Sequence, residues 1–136
     1  MPILAINRKA RYDYEVLQSY QAGLVLSGKM TKAVRAKQVK PEGLFVVHQN
    51  NRLEIIGMQG DGLTENIPLL LKRKEMHEIM GKIQEKGLTC IVLNLKTIGR
   101  WIKAEIGLVR GKTKRDKRET IKKRDLDREF ARGLMN

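Results

Sequence analysis

Along the chain the spacing of apolar positions changes several times, and each change marks an element. Residues 12–20 place Tyr12, Tyr14 and Val16 at alternate positions and then slip phase near Leu17, the pattern of a strand interrupted by a bulge. The apolar run 22–26 leads through Ser27 and Gly28 into 30–36, where Met30, Ala33 and Val34 fall on one side of a short helix that Ser27 is placed to cap. Runs 43–48 and 52–56 flank Gln49, Asn50 and Asn51; because Asn tolerates positive φ, this spacing predicts a hairpin. The glycine-rich stretch 57–62 reads as a flexible loop. Between 72 and 86, Met76, Ile79, Met80 and Ile83 recur at i, i+3, i+4, i+7, and Gly87 stands just beyond, which predicts the clearest helix of the chain. Runs 89–95 and 101–109 form a second hairpin around 96–100, with Ile102, Ala104, Ile106 and Leu108 alternating. Five or six short strands with two or three short helices predict a mainly β body. Closure into an antiparallel barrel of the OB type removes the exposed edges that such strands otherwise leave.

Charge divides the chain. Residues 110–136 hold eleven Lys or Arg against five Asp or Glu, and their first eleven positions carry no large apolar side chain, so this stretch does not fold alone. The expected organisation is an OB-type body over 1–110 and a basic C-terminal tail over 111–136. At 136 residues with 41% apolar content, the chain can build one modest core but not two. Net charge is +13, about half of it on the body, so both parts are expected to meet phosphate, with a membrane surface as the second class of partner. No apolar run approaches the roughly 20 residues of a membrane helix. The amino-terminal residues lack the pattern of a signal or transit peptide, and Cys90 stands alone in an apolar run, so a buried thiol in a cytoplasmic protein is expected.

Catalytic chemistry finds little support. His48 and His77 lie 29 positions apart, Cys90 has no neighbour at ligand spacing, and the 57–62 stretch lacks the Lys-Ser/Thr of a phosphate loop. Glu75 and Glu78 are expected to be solvated charges. No metal, cofactor or catalytic residue is expected. The basic clusters say more. Arg8, Lys9 and Arg11 sit beside Tyr12, pairing phosphate grips with a stacking ring, and Lys32 and Arg35 belong to a run of cations on the first helix and its exit. In the tail, Lys112, Lys114, Arg115, Lys117, Arg118, Lys122 and Lys123 offer a polyanion-following arm. Leu126, Phe130 and Leu134 recur at i, i+4, i+8 with Met135 beside them, a stripe able to become helical once phosphates neutralise its cations.

Five blocks, in order, resemble one family. They are Asn7-Arg8-Lys9-Ala10-Arg11-Tyr12-Asp13-Tyr14; Ala22-Gly23-Leu24-Val25-Leu26-Ser27-Gly28 with Lys32 and Arg35; Leu69-Leu70-Leu71; Gly81-Lys82-Ile83-Gln84-Glu85-Lys86-Gly87-Leu88-Thr89; and Lys103-Ala104-Glu105-Ile106-Gly107-Leu108-Val109-Arg110-Gly111-Lys112 with Asp116-Lys117-Arg118-Glu119. This pattern is similar to the SsrA-binding (small protein B) family, which partners transfer-messenger RNA in bacterial ribosome rescue. The resemblance implies an OB-type barrel that holds the tRNA-like domain of that RNA. It also implies a tail that enters the empty messenger channel near the decoding centre of the small subunit and becomes helical there. It implies RNA contacts at Asn7, Gln21 and Leu70, and a ribosome-binding tail motif at Gly111, Lys112, Asp116, Lys117 and Arg118. A monomer is expected when the protein is free of RNA. Relative to the family pattern the chain is divergent: Gln21 and Met30 replace Glu, Pro68 replaces a basic residue, Arg115 an aromatic or His, Lys96 a Tyr, and the loop over 57–66 is short. The alternative is a general ribosome- or RNA-associated chaperone without specificity for transfer-messenger RNA.

Overall fold

The computed structural model describes residues 3–85, 87–112, 118, 121–124 and 126. Among them the order is β1 (Ile3–Ile6), α1 (Ala10–Asp13), β2 (Tyr14–Leu24), α2 (Gly28–Arg35), β3 (Phe45–Gln49), β4 (Arg52–Gly60), β5 (Leu63–Leu70), α3 (Arg73–Ile83), β6 (Leu88–Ile98) and β7 (Trp101–Gly111). The strands pair antiparallel in the order β6-β3-β4-β5-β2-β7, and pairing of β7 with β6 closes the ring into an OB-type barrel. β6 is long enough to serve β7 along one edge while β3 and then β1 share the other.

Several elements follow the sequence pattern closely. β2 slips register between Val16 and Gln18, the bulge read at Leu17. Ser27 Oγ accepts from the Met30 amide at 3.1 Å, and Met30, Ala33 and Val34 are buried in the barrel. Asn50 and Asn51 carry φ of 53° and 57° at the β3–β4 turn, where positive φ at both central positions matches the twist of the strands. Cys90 is buried, and that desolvation pushes its thiol up to about 12, which keeps it protonated and unreactive near neutral pH.

Other elements differ. Residues 10–13 form one helical turn rather than the start of a strand, because Ala10 must tuck against Ile91 and Val109, a demand that Tyr12 and Tyr14 do not advertise. The stretch 57–62 is not a loop. Gly57, at φ 72°, sits in a bulge of β4, and Asp61 and Gly62, at 49° and 76°, make a two-residue turn straight into β5. β5 was hidden by Thr64, Glu65, Asn66 and Pro68. The proline is tolerated because its carbonyl, not a missing N–H, is used: it accepts from the Val25 amide at 3.0 Å. Glu75 and Glu78 are not idle charges. Glu75 Oε1 accepts from the Lys72 amide at 3.3 Å, and Glu78 Oε2 accepts from the Tyr20 hydroxyl at 3.1 Å, tying α3 to β2 while Ile79 enters the core. Burial, then the Glu78 bond, pushes the Tyr20 hydroxyl up to about 12.

Glu54, 3% exposed, is held at the β3–β4 hairpin by Gln49 Nε2 at 2.9 Å, Asn50 Nδ2 at 3.3 Å and Arg52 Nη2 at 3.3 Å. These partners, the Gln49 bond first, hold its carboxyl below the ordinary 4.5. A carboxyl lowered on folding stabilises the fold above its ordinary value, and that contribution disappears as pH falls through the lowered one. Thermal melts over acid pH are therefore expected to show a flatter acid limb for Glu54→Gln than for the parent. Equal slopes would show that Glu54 carries none of this pH dependence.

A candidate nucleic-acid interface

Side chains alternate between the barrel interior and its outside, so strand register decides which residues share a surface. Leu95, Ala104 and Ala22 align inward and are fully buried. The neighbouring positions align outward in two rows. One runs Ile6, Asn94, Glu105, Gln21 across β1, β6, β7 and β2; the other runs Ile3, Lys96, Lys103, Gly23, Leu70 and reaches β5, with Lys96 covered by its neighbours to 9% exposure. Leu70 is 62% exposed, and it packs so close to Gly23 that a Cβ there would lie 3.2 Å from the Leu70 Cβ. Along β7, Trp101, Lys103 and Glu105 therefore point to the same side, a strip of roughly 13 Å between the first and the last.

One end of the strip is α1. The Asn7 amide donates to the Leu93 carbonyl at 2.8 Å and its Nδ2 to the Val92 carbonyl at 3.0 Å, which pins the β1–α1 connection onto β6. Asn7 is thus a structural clamp that leaves Oδ1 and the second Nδ2 hydrogen for a ligand. The clamp leaves Arg8, Lys9, Arg11 and Tyr12 exposed together. The root of the tail lies at the same place: Gly111 pairs with Tyr14, the Lys112 amide donates to the Asp13 carbonyl at 2.9 Å, and Lys112 Nζ donates to the Arg11 carbonyl at 2.6 Å.

The other end is the β6–β7 turn. Arg35 Nη2 donates to the Arg100 carbonyl at 2.7 Å, tying α2 to that turn, with Lys32 exposed on the same helix. Trp101, 68% exposed, stands beside Arg100. Sequence reading placed Trp101 merely at the start of a strand; the available signal was the chain's single Trp next to an Arg at a hairpin tip. An exposed indole next to Arg100, at the turn that Arg35 holds, offers a flat surface on which a base could stack.

The expected site residues thus fall in two groups at the ends of one outer strip, α1 with Gln21 and Lys112 at one, Lys32 and Arg35 at the other, with Leu70 on its flank. In the tail, Arg118, Lys122 and Lys123 are exposed, and residues 118, 121–124 and 126 are helical. Lys114, Arg115, Asp116, Lys117, Phe130, Leu134 and Met135 lie outside the described residues. Among the described residues no three His, Cys, Asp or Glu gather as a metal site, and no helix is long and apolar enough to cross a membrane.

A closed antiparallel barrel with a cationic and aromatic outer strip, whose last strand feeds a basic arm from that strip, defines an RNA-binding protein of the OB-barrel class. Residues 4–136 match the family model described as SmpB protein, and the chain belongs to that family. It is 42% identical to the SsrA-binding protein of Gloeobacter violaceus, over 97% of this chain and 93% of the relative. It is 43% identical to that of Paraburkholderia xenovorans, over 93% of each. Among solved structures, it is similar to a chain described as "tmRNA-SmpB: a journey to the center of the bacterial ribosome", with a TM-score of 0.67 and 32% identity, covering 89% of this chain and 95% of that one. The resemblance carried by the five sequence blocks is borne out.

Proposed function

We propose that this chain is a non-enzymatic, cytoplasmic partner of transfer-messenger RNA in trans-translation. Its body over 1–110 holds the tRNA-like domain, and its tail over 111–136 engages small-subunit RNA near the decoding centre of a stalled ribosome. The observation that carries this reading is the convergence of Arg8, Lys9, Arg11 and Tyr12 with the Lys112 root of the tail at one end of the outer strip. A protein bridging two RNAs needs a basic face on a rigid support and a basic arm that leaves from it, and no step of that task requires the protein to make or break a bond. Family membership and relatives named SsrA-binding protein support the same reading.

The test is competition binding at near-physiological salt, with labelled transfer-messenger RNA against total tRNA and an unrelated structured RNA. A strong preference for transfer-messenger RNA is the expected result. Equal competition by all three would instead favour a general RNA chaperone, since purely phosphate-driven affinity does not distinguish them. Arg8→Ala with Arg11→Ala is expected to weaken binding and to reduce the slope of log affinity against log salt by roughly two, about one for each phosphate no longer neutralised. An unchanged slope would take these two residues off the interface.

A further inference from the structure

Beneath α1 the outer strip opens into a cavity of about 240 Å³, walled by Ile6, Ala10, Val16 and Leu93. Arg8 lines it from the β1–α1 connection, Arg11 from α1, and Asn94 and Glu105 from β6 and β7. This volume lies below the usual 300–1,000 Å³ of a small-molecule site, the scale of a single base rather than a whole nucleotide. Apolar walls suit the faces of a flat ring, while the two guanidinium groups suit the phosphate attached to it.

The polar groups in this cavity are not those of a plain phosphate grip. Glu105 puts a carboxylate on the face of a protein of net charge +13 that is built to meet polyanions. It makes no ion pair within 4.0 Å with Arg8 or Arg11; the pairs among the described residues are Arg52–Glu54 and Lys82–Glu85. Its held contact is with Asn94, whose Nδ2 donates to Glu105 Oε2 at 2.8 Å. A carboxylate has about four acceptor positions, so most of its capacity is unused. That bond also fixes the orientation of the Asn94 amide, whose Oδ1 is buried and without a donor among the described residues.

The two oxygens of the Glu105 carboxylate, with Asn94 alone bonded to Oε2 among the described residues, call for a ring edge with two adjacent donors. Adenine and cytosine present one amino donor beside an acceptor nitrogen, and uracil presents one N–H between two carbonyls. Guanine alone offers N1–H next to its N2 amino group. The geometry points to a guanine-selective pocket, in which Glu105 accepts from the Watson–Crick edge of an unpaired guanine, Asn94 positions that carboxylate, and Arg8 and Arg11 take the attached phosphate. This assignment rests on the RNA-binding reading above, and adds base selectivity to a face otherwise read as cationic.

The test uses the full chain and three free nucleotides, 5′-GMP, 5′-IMP and 5′-AMP, titrated while the Asn94 side-chain amide and the backbone amides of residues 6–11 are followed by NMR. Saturable shifts are expected with GMP, at roughly tenfold or greater preference over AMP, the discrimination expected of one bidentate base contact. IMP, which lacks the N2 amino group, is expected to fall between them. Glu105→Gln, a surface change whose folding is checked by its melt, replaces one acceptor with a donor and is expected to erase the GMP preference and favour AMP. Equal shifts with all three nucleotides, or a GMP preference that survives Glu105→Gln, would overturn the assignment. The two readings fail separately. Loss of preference for transfer-messenger RNA in the competition assay with GMP selectivity intact would sink the proposed function alone. Full preference there with no GMP selectivity would sink only the pocket.

Discussion

Truncation after Lys112 is expected to abolish peptide tagging on stalled ribosomes while leaving binding to isolated transfer-messenger RNA close to full strength. The cut belongs there because Lys112 does structural work: its amide and Nζ hold the Asp13 and Arg11 carbonyls, so its removal would loosen the turn that presents Arg8, Lys9 and Arg11. Beyond it lie the described cations Arg118, Lys122 and Lys123, all exposed. At physiological ionic strength their pull on RNA bound to the body fades beyond about 8 Å, so little affinity for that RNA is expected to leave with them. Their absence instead removes the arm assigned to ribosomal RNA. Binding by electrophoretic shift or fluorescence, beside tagging in a reconstituted translation system, separates the two. If truncation eliminated RNA binding itself, the division of labour between body and tail would be wrong.

Gly60→Val is expected to be the most damaging single change in the body. A Cβ at Gly60 would lie 2.8 Å from the Ala33 Cβ and 2.9 Å from Val39 Cγ2, with the Met30 sulfur at 3.4 Å. These atoms cannot swing aside as the end of a flexible chain can. Ala33 is fixed on α2, and Met30 and Val39 are buried in the core. Gly60→Ala alone is expected to cost about 1–3 kcal/mol by overpacking. For a domain of this size each kcal/mol lowers Tm by roughly 4 °C, and the branched valine is expected to do worse. Because α2 must shift to admit the new side chain, Arg35 is also expected to lose the Arg100 carbonyl, so RNA affinity should fall even below the melting temperature. A variant with unchanged Tm would show that α2 is not seated on β4 as described.

Elements with a long, uniform period were legible from the residues alone. α3, the β3–β4 turn and the β6–β7 hairpin repeat one spacing over many positions, and their apolar faces end in the core where expected. Short or mixed elements were not. One turn of helix at α1 is too brief to show a period, and β5 has polar residues and a proline where a strand usually shows alternation. Gly57, Gly60 and Gly62 look alike in the sequence but do three different things: a bulge, a close approach to α2 and a tight turn. The same limit applied at the site. Clustered cations near Tyr12 were visible because they are neighbours in the chain, whereas Asn94 and Glu105 meet only through strand register, eleven positions apart. Trp101 gained its meaning when Arg35 was found against the hairpin tip.

The Lys112 clamp also sets a distance. With its origin fixed beside α1, a tail in the proposed role would act as a leash measured from the proposed RNA-holding face rather than from a loose domain edge. Between Lys112 and Leu134 lie 22 residue steps, which span roughly 75 Å fully extended and roughly 33 Å as continuous helix. Coiling therefore shortens the leash by more than half. Residues 118, 121–124 and 126 are helical in the free chain, so a tail drawn out on first contact and then coiled again would pull the RNA-bearing body inward by tens of ångströms, turning a local folding event into a movement of the bound RNA.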